Sequence, residues 1–156
     1  MQVDSKSELL SYKSPVITEE IAKYFNRSGK KKSLILPLYH WADEGFPLLK
    51  KSRIRDDKSF YVCDNSFEWN QSGMKGLNLY QLDCLIKDPL LLIAQFGNYE
   101  LMFNEANRQK NAERMKDREY DTIVYTPHPL NQECSQICLL KPKEQILNIE
   151  HLGVME

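Results

Sequence analysis

The sequence predicts a single α+β domain whose strands are mainly antiparallel. Three observations carry the prediction. A length of 156 residues suits one domain with a real core and is short for two. Apolar runs of strand character recur at hairpin-length spacing toward the C-terminus, over 119–125, 135–140 and 145–147. Helix-type stretches stand before and between the strands, over 18–25 and 98–118.

Composition narrows the class. The apolar fraction of 42% and charged fraction of 28% are those of an ordinary soluble globular protein. A formal net charge of −1 provides no global field to steer the chain toward nucleic acid or an anionic membrane. Basic residues cluster at Lys30-Lys31-Lys32, at Lys50-Lys51-Ser52-Arg53 and over 108–118. Such clusters read first as solvated faces and second as a seat for a phosphate-bearing ligand. Cys63, Cys84 and Cys138 sit in apolar strand-like runs and Cys134 does not; no CxxC pair exists and the histidines are scattered. This argues for free thiols in a reducing compartment and against a zinc site. Residues 1–14 lack an apolar signal core, and the longest apolar run, 89–94, is far too short to span a bilayer. The expected location is cytoplasmic, with delivery to a host cell by a machine that needs no conventional signal left open.

In chain order, 1–15 reads as a polar, loose arm. Thr18-Glu19-Glu20 opens a short helix with Ile17, Ile21 and Phe25 on one face and Gly29 just past its end. Residues 33–40 form a strand whose Pro37 lacks a ladder donor, so an edge position or a bulge is expected. Structure restarts at Phe46-Pro47-Leu48-Leu49, turns at Arg55-Asp56-Asp57, and gives a second strand over 59–63. Asp64-Asn65-Ser66 supplies capping chemistry for a short helix through Phe67 and Trp69. After a loop over 72–76, residues 77–86 alternate, with Asn78, Tyr80, Leu82, Cys84 and Ile86 the more apolar face. Asp88-Pro89 ends that strand, and 90–93 is a short continuation or corner. The longest helix candidate, 98–118, carries Met102, Phe103, Ala106, Ala112 and Met115 on one side. A strand over 119–125, a turn-rich insert, a strand over 135–140, a tight corner at Pro142 and a final strand close the chain. The expected division is an N-terminal arm and short helix over 1–32 and a folded domain over 33–156.

Several of these stretches, in this order, resemble the ADP-ribosyltransferase-like domains of bacterial toxins, effectors and phage proteins. Leu38-Tyr39-His40 stands where that family's first strand has Leu-Tyr-His, with Trp41-Ala42 in place of Gly-Thr. Phe60-Tyr61-Val62-Cys63-Asp64-Asn65 is similar to the family's Tyr-Phe-Thr-Asp-Asn strand, and Leu79-Tyr80-Gln81-Leu82 through Asp88-Pro89-Leu90 to its next strand. Glu119-Tyr120-Asp121-Thr122-Ile123 stands for Gly-Tyr-Asp-Gly-Ile, and 135–146 for the closing strand and its Pro-x-Gln-Ile corner, with one extra residue. The likeness covers roughly 40–151.

The resemblance implies a fold of two small, mostly antiparallel sheets around a cleft with flanking helices, and NAD as substrate in that cleft. It gives His40 a hydrogen bond to the ribose next to adenine. Tyr61 would line the nicotinamide pocket, with Cys63 on the same strand at the position of the family's Thr. Trp41 replaces a Gly that lets the backbone approach the carboxamide, so its indole must turn aside or serve as a lid. The catalytic carboxylate falls, by the family's interval, on Gln136; the nearest acidic residue is Glu133, three positions earlier. A carboxylate about 4 Å from the developing oxocarbenium is worth about 4 kcal/mol at an effective dielectric near 20, roughly a thousandfold in rate. The expected function is therefore mono-ADP-ribosyl transfer from NAD to a macromolecular acceptor, protein or nucleic acid, with Glu133 or Gln136 at the catalytic position. Two alternatives stand beside it. One is a non-catalytic inhibitor or decoy. The other is an NAD-dependent transferase acting on RNA through Lys50, Lys51 and Arg53.

Overall fold

The computed structural model describes residues 8–14, 33–43, 49–56, 59–67, 73–93, 120–126 and 136–156. Seven strands run in chain order as β1 (Leu34–Ala42), β2 (Phe60–Cys63), β3 (Asn78–Ile86), β4 (Pro89–Ile93), β5 (Thr122–Thr126), β6 (Gln136–Leu139) and β7 (Ile146–Val154). A 3-10 turn, Lys51–Arg53, precedes β2, and a one-turn helix α1, Pro142–Gln145, precedes β7. The sheet order is β4-β5-β6-β2-β1-β3-β7.

This corrects the expectation of an α+β fold with two small sheets around a cleft and flanking helices. The described strands make one seven-stranded mixed sheet. Its mixed character comes from β4 and β5, which pair in parallel from Pro89↔Thr122 to Ile93↔Thr126. A parallel pair requires a long crossover, and the connection 94–121 provides it. The single sheet arises because β2 hydrogen-bonds on both edges. It pairs along its length with β6 and meets β1 at Tyr39↔Cys63. The stretches read as helices over 18–25 and 98–118, and the loop that carries Glu133, lie outside the described residues.

The alternation read in 77–86 is borne out, since Asn78, Tyr80, Leu82, Cys84 and Ile86 are all buried. With Leu36, Leu38, Val62, Val124, Ile137, Leu139 and Ile146, the last four of them build the main core on one face of the sheet. That core spans strands on both sides of the β1–β2 junction. The other face behaves differently. Ile123, Tyr125, Cys138 and Leu140 cluster on the β5–β6 side, and Leu9, Tyr39 and Leu79 cluster separately on the β1–β3 side. One face is continuous across the junction and the other is parted there.

Pro37 pairs with Asp83 inside β1, which is an interior strand and not an edge. Among the described residues β1 has its β2 neighbour at Tyr39, so at Pro37 the missing donor faces no ladder from β2. Residues 8–14, read as a loose arm, are docked. Leu9 is buried, Ser14 N–H donates to Asp64 O over 2.8 Å, and Ser66 N–H donates to Tyr12 O over 3.0 Å. Two apolar side chains in a polar stretch give no periodic signal, so this docking has no trace in the sequence. The helix expected through Phe67 and Trp69 lies largely outside the described residues; at its start the Asn65 side-chain oxygen accepts from Phe67 N–H at 3.1 Å.

Two buried polar side chains hold the strand connections. The Asp121 carboxylate accepts from Lys87 N–H at 2.8 Å and Asp88 N–H at 2.9 Å, which closes the β3–β4 turn against β5. Gln145 accepts from Lys141 N–H at 2.9 Å and donates to Leu85 O at 3.2 Å and Thr122 Oγ1 at 2.8 Å. The Pro142 corner is thus a packed structural joint. Gln145→Leu removes three hydrogen bonds and leaves the buried Thr122 hydroxyl without this partner, and the expected loss is about 3 kcal/mol of unfolding free energy in urea titration. Lys143→Ala, on the exposed side of the same turn, should change it by less than about 0.5 kcal/mol.

Candidate site at the β1–β2 seam

Antiparallel pairing from Tyr39↔Cys63 would continue as His40 against Val62 and Trp41 against Tyr61. No such pairs form, and β1 and β2 part after this first contact. The His40 side chain occupies the gap. Its Nδ1 lies 2.8 Å from Tyr61 O, and its ring packs on Phe60 with centroids 4.5 Å apart. A carbonyl only accepts, so Nδ1 carries a proton and donates it to Tyr61 O. The bond replaces a backbone ladder bond with a side chain held in one orientation.

The other predicted site residues divide around this seam. Cys63 and Gln136 are Cα partners across β2 and β6, and Tyr61 is paired with Cys138. Tyr61, Cys63 and Gln136 therefore share one face. Tyr61 packs there with the cluster of Ile123, Tyr125 and Cys138. His40 belongs to the opposite face, with Phe60 and the main core. The seam joins His40 to Tyr61 through the Tyr61 carbonyl, while their rings lie on opposite faces. Gln136 is half-buried at the start of β6. Glu133 lies outside the described residues.

The structure decides between the two alternatives for Trp41. Its indole is turned aside: Nε1–H donates to Ser66 O at 3.0 Å, and the ring packs on the cluster of Leu9, Tyr39 and Leu79. Phe60, not singled out from the sequence, supplies the aromatic surface on the His40 side. The signal for it was the two-residue alternation of the strand, which puts Phe60 and Val62 opposite Tyr61.

Neighbouring groups are poor nucleophiles or bases. Burial, with Tyr12 and Asp83 adding to it, raises the Tyr39 phenol above its ordinary value. Burial first, and Asp83 second, pushes the Cys84 thiol far up, so it stays protonated. No group of metal-ligating side chains occurs among the described residues. No described helix is long and apolar enough to cross a membrane. Comparison with protein-family models, curated proteins and solved structures gives no match to the chain.

The thiols test the seam. Cys63 is half-buried there, whereas Cys84 and Cys138 are fully buried. A thiol-specific reagent at mildly alkaline pH should label Cys63 in the native protein and reach Cys84 and Cys138 only after unfolding, as read by peptide mass mapping. Equal native labelling of Cys84 would show that the β3 face is not packed as described. Trp41→Phe should lose about 1 kcal/mol of stability through the Ser66 bond and leave the Cys63 labelling rate within about twofold.

Proposed function

We propose that the β1–β2 seam binds NAD and that the protein transfers ADP-ribose from it to a macromolecular acceptor in the cytoplasm. The observation that carries this reading is the His40 imidazole, fixed by the Tyr61 carbonyl at the point where two strands part. An imidazole held in this orientation suits a ribose, and the ring beside it, Phe60, suits a flat heterocycle. The residues that resemble the ADP-ribosyltransferases support the same reading.

In the reaction, the bond between the nicotinamide nitrogen and the ribose C1′ breaks and neutral nicotinamide leaves with the bonding pair. The ribose carries the resulting oxocarbenium character until an acceptor nucleophile attacks C1′ and gives up its proton. Gln136 offers an amide to a ribose hydroxyl and no charge to the cation. The reading assigns that charge to Glu133, the acidic residue that precedes β6 in sequence. About 4 kcal/mol of stabilisation hangs on it.

A second reading, a non-catalytic inhibitor or decoy using the same seam, is favoured by one observation. The residue that β6 places beside Cys63 is Gln136, which is uncharged.

Nicotinamide release from NAD, followed with a cell lysate as acceptor source, separates the two. Transfer predicts release that His40→Ala weakens through an NAD affinity about tenfold lower and that Glu133→Gln slows by roughly a thousandfold. NAD-induced thermal stabilisation without any release removes the transferase reading. No thermal shift with NAD, in a protein that is folded by circular dichroism, favours the second reading.

A further inference from the structure

The basic stretch Lys50-Lys51-Ser52-Arg53 is the one cation cluster of the sequence that falls among the described residues, and the fold brings it to the seam's side of the sheet. Both ends are pinned. Leu49 packs on the main core and its N–H donates to Tyr80 Oη at 3.2 Å, and Ile54 is buried in that core. Between these anchors the 3-10 turn Lys51–Arg53 is closed by Arg53 N–H to Lys50 O at 2.9 Å and Ile54 N–H to Lys51 O at 3.1 Å. Lys50, Lys51 and Arg53 are all exposed, and none of them is engaged in an ion pair among the described residues. The platform is held at both ends, and no described residue pairs with its charges.

Its position relative to His40 follows from register. His40 pairs with Tyr80, and Tyr80 pairs with His151. The Tyr80 and His151 rings stand 5.3 Å apart, and the turn lies against β7. His151 Nε2–H donates to Asn78 Oδ1 at 2.8 Å, which leaves Nδ1 for a ligand. His40 and His151 thus flank the buried Tyr80, two strand spacings or about 10 Å apart, and the segment that carries the three cations reaches Tyr80 through Leu49 N–H and lies against β7. A dinucleotide bridges such a separation between a ribose and its diphosphate.

We infer that Lys50, Lys51, Arg53 and His151 form a diphosphate-binding subsite that extends the seam site across β3 to β7. The inference rests on the NAD reading for the identity of the ligand and on the geometry above for its place. Charge-assisted hydrogen bonds to phosphate oxygens from lysine and arginine, and from His151 Nδ1 when its ring carries both protons, are the expected contacts. A small diphosphate fits better than a polyanion. The cations are concentrated on one turn and do not run as a track, and the net charge of −1 gives no long-range attraction for nucleic acid.

Binding of ADP-ribose, NAD and nicotinamide to the full-length protein by calorimetry tests this, with the triple variant Lys50→Ala/Lys51→Ala/Arg53→Ala, His151→Ala and His40→Ala. The triple variant should bind ADP-ribose and NAD about a hundredfold or more weakly, and His151→Ala about tenfold. Both should leave nicotinamide binding unchanged, and the wild-type affinity for ADP-ribose should fall with added salt. Restoring charge with Lys50→Arg/Lys51→Arg should retain ADP-ribose binding, which separates lost contacts from a misfolded turn. If NAD binds through His40 while the triple and His151 variants bind it normally, the subsite is overturned and the NAD reading stands. If ADP-ribose binding needs the turn and is indifferent to His40→Ala, the subsite stands and the seam reading falls. If wild-type protein binds neither ligand, or if a phosphate-free oligonucleotide analogue displaces nothing while single-stranded RNA binds the turn more tightly than ADP-ribose, the inference is overturned.

Discussion

The molecule depends on how little backbone β1 and β2 share. Strand β2 is fully paired with β6 on one edge and touches β1 at Tyr39↔Cys63 on the other. Backbone polar groups in a folded interior must find partners, so the parting of the strands has a cost that side chains must offset. His40 does so at the seam by donating to the Tyr61 carbonyl. Past Cys63 the chain finds a different partner. Residues 12–14 come alongside 64–66 and take Asp64 O and Ser66 N–H. The same parting divides the outer face into two clusters, while the main core holds the two sets of strands together from within.

Two buried polar residues make the connections rigid enough for this to persist. Asp121 satisfies two amides of the β3–β4 turn, and Gln145 ties α1 to β3 and β5. Buried polar groups with every partner present specify one arrangement, and the same groups half-satisfied are costly. Both residues sit where the chain passes between the two sets of strands. They fix the start of β5 and the corner before β7, and so fix the direction in which β6 presents Gln136 and β7 presents His151.

The candidate site has an asymmetric chemistry. The side of His40 and Phe60 offers an oriented imidazole and an aromatic face, and Tyr80, paired with His40, joins it to the segment that carries the cations of the 50–53 turn. The side of Tyr61, Cys63 and Gln136 offers polarity without charge. A ligand held by the first side would be positioned by hydrogen bonds and phosphate contacts. Whether a bond then breaks depends on a negative charge that the second side, as β2 and β6 present it, does not contain. Under the proposed function, binding and chemistry rest on different residues.

The sequence by itself determined the strands. β-Branched and aromatic runs located β1, β2, β3, β5 and β6 to within a few residues, and the two-residue alternation named the buried face of β3, because these are local properties of a pleated chain. It also placed the Pro142 corner, since proline acts on its own backbone. It did not determine that Pro37 sits in an interior strand, that 90–93 pairs in parallel with β5, that the strands form a single sheet, or that Leu9 and Tyr12 dock the N-terminal stretch. Each of these depends on which distant segment supplies the other half of a hydrogen bond or a contact. The face of Trp41 was likewise left open until Ser66 O and Leu9 were found beside it. For the site, the sequence named His40, Tyr61, Cys63 and Gln136. Only the tertiary structure set His40 against the Tyr61 carbonyl and the two rings on opposite faces, and brought Lys50–Arg53 to Tyr80 and β7, because pairing register and strand order are properties of the whole sheet.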